Sequence, residues 1–171
     1  FYNRKTFNED IGAWDVSSVT DLTNTFYSAV IFDQVLSWDV RNVKVLDGTF
    51  LNARSFNSDL SSWDVSGVTS AVGTFRSAIK FNQDITMWDI SNIITVESMF
   101  QSAQAFNQNI PAHWNFAKVT NFTRMLGNSL KFRYSLGTMT ILPNANLYKM
   151  LAAPSYLNSQ YGVTPSHSDF A

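Results

Sequence analysis

Asp15, Asp39, Asp64 and Asp89 stand 24, 25 and 25 residues apart, and Asn115 follows 26 residues later. Each comes directly after a tryptophan: Trp14, Trp38, Trp63, Trp88 and Trp114. A carboxylate recurring at that interval does chemistry only if folding stacks the copies into one file. Carboxylates at the ~4.8 Å spacing of paired strands repel by about 0.9 kcal/mol at a water-like dielectric, and by more when half-buried. Such a file therefore needs an offset. One reading supplies it locally, with each Asp accepting hydrogen bonds from nearby N–H groups or from the Ser17, Ser66 and Ser91 hydroxyls in an Asx arrangement. The other makes the file a binding strip for Ca²⁺, for cationic groups on a partner or for sugar hydroxyls. Calcium takes six to eight oxygens and a single file is a poor cage, so no metal site is expected. Arg41 and Lys44 stand beside Asp39 and create a mixed-charge spot suited to a protein partner. The candidate partner-binding set is thus Asp15, Asp39, Asp64, Asp89, Arg41 and Lys44.

Other polar residues carry less. Asp10, Asp59 and Asp84 form a second column, interrupted by Val35 and closed by Asn109, which reads as a turn-holding series. Thr20, Thr69 and Thr120, with Thr25, Thr49 and Thr74 nearby, resemble the hydroxyl arrays of ice-binding repeats. Lys44 and Ile94 interrupt the first set, and the second precedes apolar Phe. Catalysis has little material. The histidines are His113 and His167, the glutamates are Glu9 and Glu97, and there is no Cys. A repeated environment also gives no carboxylate the raised pKa that acid-base chemistry needs. No phosphate-cradling or zincin motif occurs. No catalytic residue, metal or cofactor is expected. Lys and Arg number 12 against 13 Asp and Glu, which lacks the basic footprint of a nucleic-acid binder. Every apolar stretch is interrupted well short of the roughly 18 residues of a membrane span, so no transmembrane segment is expected. Arg54, Arg76, Lys80, Lys131 and Arg133 read as solvated or C-terminal helix charges, at the ends of the expected helical segments or in the loops after them. The glycosylation acceptor Asn121-Phe122-Thr123 matters only in a secreted chain.

What must position these residues is an internal repeat. Phe7, Phe32, Phe56, Phe81, Phe106 and Phe132 recur in phase with the tryptophans, as do Phe1, Phe26, Phe50, Phe75, Phe100 and Leu126. The unit reads F-N-x-D-I-x-x-W-D-V-S-x-V-T-x-L-x-x-T-F-x-x-A, and Phe56 to Lys80 shows it almost unchanged. Self-similarity at this period marks stacked units, each too small to bury its own apolar face.

Within a unit, Trp63-Asp64-Val65 alternates inward and outward and predicts a very short strand. Val19, Leu22, Phe26 and Ala29, spaced at three or four, predict a helical face. Leu60, Trp63, Val65 and Val68 follow the L-x-x-L-x-L spacing of leucine-rich repeats. The expectation is an α/β repeat solenoid of about six units of 24 to 26 residues. Each would be a short parallel strand plus a short helical segment. Residues 1–131 hold the regular repeats, starting in mid-repeat as a fragment of a longer protein would. Residues 132–157 read as a degenerate capping repeat and 158–171 as a tail. The column Asn8, Asp33, Asn57, Asn82, Asn107 is expected to satisfy loop backbone groups from coil to coil.

The F-N-x-D-I-x-x-W-D-V-S-x-V-T-x-L unit resembles the 25-residue repeats of BspA-like leucine-rich-repeat surface proteins, from Phe1 to about Leu130. That resemblance implies a right-handed leucine-rich-repeat-like coil, an extracellular or cell-surface location, and a non-enzymatic role in adhesion or protein recognition. The partner would be another protein or a cell-surface polymer. Two alternatives remain open: a structural subunit contacting its neighbours in a larger assembly, and adsorption to glycan, mineral or ice through the Asp and Thr ladders.

Overall fold

The computed structural model describes residues 1–137 and 139–151. The segment with helical spacing is not a helix. In each coil two residues four apart have left-handed backbone: Asn24 and Ser28, Gly48 and Asn52, Gly73 and Ser77, Ser98 and Ser102, Arg124 and Asn128, all with φ between 53° and 61°. A right-handed helix cannot run through such a residue. Tight turns form around them instead, with the N–H groups of Thr49 and Ala53 donating to the Leu46 and Phe50 carbonyls at 3.2 and 3.0 Å. Consecutive turns also repeat every three to four residues, so they place Leu46, Phe50 and Ala53 on one buried face as a helix would.

The alternate N–H groups leave the coil. Gly48, Phe50 and Asn52 donate to the carbonyls of Val72, Thr74 and Arg76 in the next coil at 2.7 to 2.8 Å, and Gly73, Phe75 and Ser77 repeat this on Glu97, Met99 and Gln101. Just before them, parallel bridges run Asp21 to Val45 to Ser70 to Thr95 to Asn121 to Asn146, each isolated. These contacts fix a stack in which equivalent residues lie directly above one another.

The expected α/β, leucine-rich-repeat-like architecture is therefore overturned. Among the described residues the one helix is α1, Ile110–His113, and no strand longer than an isolated bridge occurs. Helix α1 arises where one unit carries an extra residue, with Pro111 in its first turn. The Trp-Asp-Val segment fails to pair as a strand because the Asp side chain captures the N–H two residues on. That bends the chain at once into a turn.

The interior is a set of like-on-like ladders. Phe26, Phe50, Phe75 and Phe100 stack at 5.3 to 5.7 Å between ring centres, and Phe32, Phe56, Phe81, Phe106 and Phe132 at 6.0 to 6.3 Å. Within a coil the two Phe rings lie about 4 Å apart, as for Phe75 and Phe81 at 3.9 Å. Burying each ring contributes on the order of 1.5 to 3 kcal/mol. Trp38, Trp63 and Trp88 form the third column, 6.4 Å apart. Their indole N–H groups bridge the coils, donating to the carbonyls of Ile11, Leu36 and Leu60 at 3.0 Å. Trp114 does the same to Ile85 at 3.1 Å.

The loop edge is stitched by the Asn column. Asn8, Asp33, Asn57, Asn82 and Asn107 each use Oδ1 to accept the backbone N–H of the equivalent residue one coil on, at 2.7 to 2.9 Å, ending at Arg133. Beyond Phe132 the stack continues, with Phe122, Arg124 and Leu126 donating to the carbonyls of Asn146, Tyr148 and Met150. The remainder of the expected capping repeat, 152–157, and the expected tail, 158–171 with His167, lie outside the described residues. No described helix is long and apolar enough to cross a membrane.

Candidate functional site

Asp15, Asp39, Asp64 and Asp89 all lie exposed, each between a Trp and a Val or Ile of its own coil. In the buried pairs Trp38 and Val40, Trp63 and Val65, and Trp88 and Ile90, both apolar neighbours point inward and drive the carboxylate outward. Each Oδ1 accepts the backbone N–H two residues on: Ser17 at 3.0 Å, Arg41 at 3.3 Å, Ser66 at 3.1 Å and Ser91 at 2.9 Å. The Ser66 hydroxyl adds a 2.7 Å bond to Asp64. Asn115 makes the equivalent bond to the Ala117 N–H at 3.0 Å. The second column behaves alike, with Asp59 taking the Ser61 N–H and Asp84 taking both the N–H and the hydroxyl of Thr86.

These bonds favour the ionised form. The Ser17, Ser66 and Ser91 hydroxyls, followed by their own N–H groups, hold Asp15, Asp64 and Asp89 below the ordinary carboxylate range. The Arg41 side chain does so for Asp39. Repulsion acts in the opposite sense, from Asp15 on Asp39 and from Asp64 on Asp89, and it is outweighed.

Arg41 sits inside the file. Its Nε lies 2.8 Å from Asp39 Oδ1, and its charge also reaches Asp64. Arg41, Asp39 and Asp64 line one shallow open groove with Ser37, Trp38, Val40 and Ser62. Lys44 is exposed and leans across the next coil, where a Cβ on Gly67 would come within 2.6 Å of its Nζ. Gly67 therefore leaves room for that ammonium. Further along, Lys118 Nζ donates to Asn92 Oδ1 at 2.7 Å beside Asp89. The structure thus gathers Asp39, Asp64, Arg41 and Lys44 in one neighbourhood, with Asp15 and Asp89 extending the file along the stack.

Sequence reasoning missed the pins that make this surface rigid. Asn42 and Asn92 donate through Nδ2 to the Ser17 and Ser66 carbonyls one coil back, at 2.8 and 2.9 Å. Asp47 accepts the Ser70 hydroxyl and the Val72 N–H of the next coil, at 2.6 and 2.9 Å. The signal for the first pair was present, since Asn42 and Asn92 share a column, but Gly67 and Lys118 interrupt it. The two Thr sets fall on different surfaces. Thr49 and Thr74 are fully buried and donate to the Leu46 carbonyl, whereas Thr69 and Thr120 are exposed and donate to Lys44 and Ile94 one coil back. His113 is exposed at the end of α1. Among the described residues no group of three or more His, Cys, Asp or Glu is placed to hold a metal ion.

The family model described as "Mycoplasma protein of unknown function, DUF285" matches residues 1–77, 33–139 and 63–162. Overlapping matches in successive windows are the mark of a repeat family, in keeping with the coil-on-coil register. No curated protein and no solved structure matches the chain.

Proposed function

Since the chain belongs to the DUF285 family of repeat proteins, we propose that it is a non-enzymatic interaction module. It presents the Asp file, with Arg41 and Lys44 in its midst, to a macromolecular partner with a cationic surface. The observation that carries this reading is a line of exposed carboxylates held in fixed orientation by the chain's own N–H groups. Pre-oriented charges lose little freedom on binding and steer an oppositely charged partner. The carboxylates of this file are biased toward the ionised form, which suits electrostatic recognition and removes the proton donor that a paired-carboxylate mechanism requires. The likeness of the F-N-x-D-I-x-x-W-D-V-S string to BspA-like surface proteins adds the setting: a cell-surface or secreted protein engaged in adhesion.

The test is capture of partners from native extract with amine crosslinking, read through Lys44 within the file and Lys118 beside Asp89. Crosslinks from both lysines to one defined protein are expected. The double variant Asp64→Asn, Asp89→Asn should lose most of that capture while remaining folded, because an amide oxygen accepts the same N–H. Capture that survives the double variant unchanged overturns the proposal. So does a turnover abolished by His113→Ala.

A further inference from the structure

The turn ribbon carries a groove of its own, which shares no residue with the Asp file. It crosses the coils at Asp47, Val72 and Glu97 and encloses about 190 Å³. Its floor is bare backbone at Gly48 and Gly73, in a left-handed column that carries Asn24, Ser98 and Arg124 in neighbouring coils. Of the two glycines, Gly48 has a packing reason, because a Cβ there would overlap Asn24 Oδ1. At Gly73 an added Cβ would meet only Leu51 Cδ1 and Arg76 Cβ, at 3.7 Å, and Asn24 and Ser98 accept the same φ. Packing alone therefore does not account for the empty space above Gly73.

Ser98 lies at the far end of this groove from Asn24. Among the described residues the buried polar side chains are Ser28, Thr49, Thr74, Ser98 and Ser129. Four have partners: the Ser28 hydroxyl accepts from Asn52 Nδ2, while Thr49, Thr74 and Ser129 donate to backbone carbonyls. The Ser98 hydroxyl has none, although the residue is only 5% exposed. A buried hydroxyl left unpaired is costly, and it points to something that the groove receives. Other groups around the same space are also free among the described residues. The exposed Arg76 guanidinium makes no hydrogen bond or ion pair. Asp47 uses Oδ1 for Ser70 and Val72, and Glu97 uses Oε2 for Asn121, which leaves the second oxygen of each carboxylate unpaired.

We propose that this groove binds a single neutral saccharide ring. An anion would meet the two carboxylates and a simple cation would meet Arg76, whereas a sugar hydroxyl donates to the former and accepts from the latter. The C–H face of the ring fits against Val72 and Leu51, and the glycine floor lets it approach the backbone closely. The volume is below the roughly 300 Å³ at which drug-sized sites begin, which suits one ring.

Methyl glycosides of glucose, galactose, mannose and N-acetylglucosamine, titrated into the nitrogen-labelled chain and followed at the Gly73 and Ser98 amide signals, test this. Saturable shifts at both amides with at least one glycoside are expected, with a millimolar dissociation constant. Gly73→Asn, which fills the floor at a φ that Asn24 already adopts, should weaken that affinity at least about tenfold, and Arg76→Gln should do the same at an exposed position where folding is not at risk. The absence of saturable shifts with all the glycosides overturns the proposal, as does an affinity that survives both substitutions. Sodium acetate and methylammonium chloride serve as charged controls, and saturation by either of them in place of the glycosides would assign the groove to an ion and overturn it too. The double variant Asp64→Asn, Asp89→Asn should bind the glycoside like the parent, which separates this outcome from that of the capture experiment.

Discussion

Trp63 combines two contributions that a smaller side chain would separate. Its ring fills the column between Trp38 and Trp88, and its N–H satisfies the Leu36 carbonyl. Trp63→Ala should cost about 3 to 5 kcal/mol in a urea titration, because the cavity falls between packed rings that cannot close around it. Trp63→Phe keeps most of the apolar body but orphans a buried carbonyl, so a loss of about 1 to 3 kcal/mol is expected. A neutral Trp63→Phe would mean that the indole bond contributes nothing, and equal losses for the two variants would mean that the ring's packing contributes nothing. At Asp64 the geometry separates charge from hydrogen bonding. Asp64→Asn should fall within about 0.5 kcal/mol of the parent, since Asn115 already makes the same turn, whereas Asp64→Ala should lose about 1 kcal/mol by freeing the Ser66 N–H and hydroxyl. A fall as large for Asn as for Ala would show that the carboxylate charge, and not the turn, holds this corner.

The turn ribbon depends on backbone that only certain residues accept. Gly73 has φ +59°, and an added Cβ would meet only Arg76 Cβ and Leu51 Cδ1, at ordinary contact distances of 3.7 Å. Conformational strain is therefore the main cost of Gly73→Ala, about 1 kcal/mol by denaturant titration, while Gly73→Asn should be milder because Asn24 already occupies the equivalent position with φ 54°. If alanine proved neutral, the left-handed assignment would be wrong. This element also shows where reading the sequence falls short. Repeat length, inward Phe and Trp columns and the Asn ladder were legible because side-chain identity recurs at each of those places. The helical reading failed because turns and helices share a three-to-four residue spacing, and Val19, Leu22, Phe26 and Ala29 cannot distinguish them. The discriminating residues were the polar ones between: Asn24, Gly48 and Gly73 in one column, Ser28, Asn52 and Ser77 in the other. Asn and Gly tolerate positive φ, and their recurrence four residues from a second small polar residue was the available signal. The strand reading failed for a different reason. Asp39, Asp64 and Asp89 were legible as outward-facing, but the Asx bond that keeps them there also ends the extended segment.

Across the whole molecule these bonds make stability depend on pH in one direction. Asp15, Asp39, Asp59, Asp64, Asp84 and Asp89 all titrate below their ordinary value of 3.8 in the folded protein, chiefly through hydroxyl and N–H donors, and through Arg41 at Asp39. As pH falls, the unfolded chain takes up protons first, at the ordinary value, and the folded chain resists until lower pH. The stabilisation is fully present above the unfolded value, and it is lost as pH drops through the folded values. A plateau from neutral pH down to about 5 should therefore give way to a steep decline below about 4. Urea midpoints measured at pH 7, 5, 4 and 3 test this, and the double variant Asp64→Asn, Asp89→Asn should show a shallower decline because two proton-linked sites are gone. A steeper decline in that variant would mean that repulsion along the file, and not hydrogen bonding, governs these carboxylates. In that case acid would relieve the stack, and the file would be a strained surface waiting for a cation instead of a settled one.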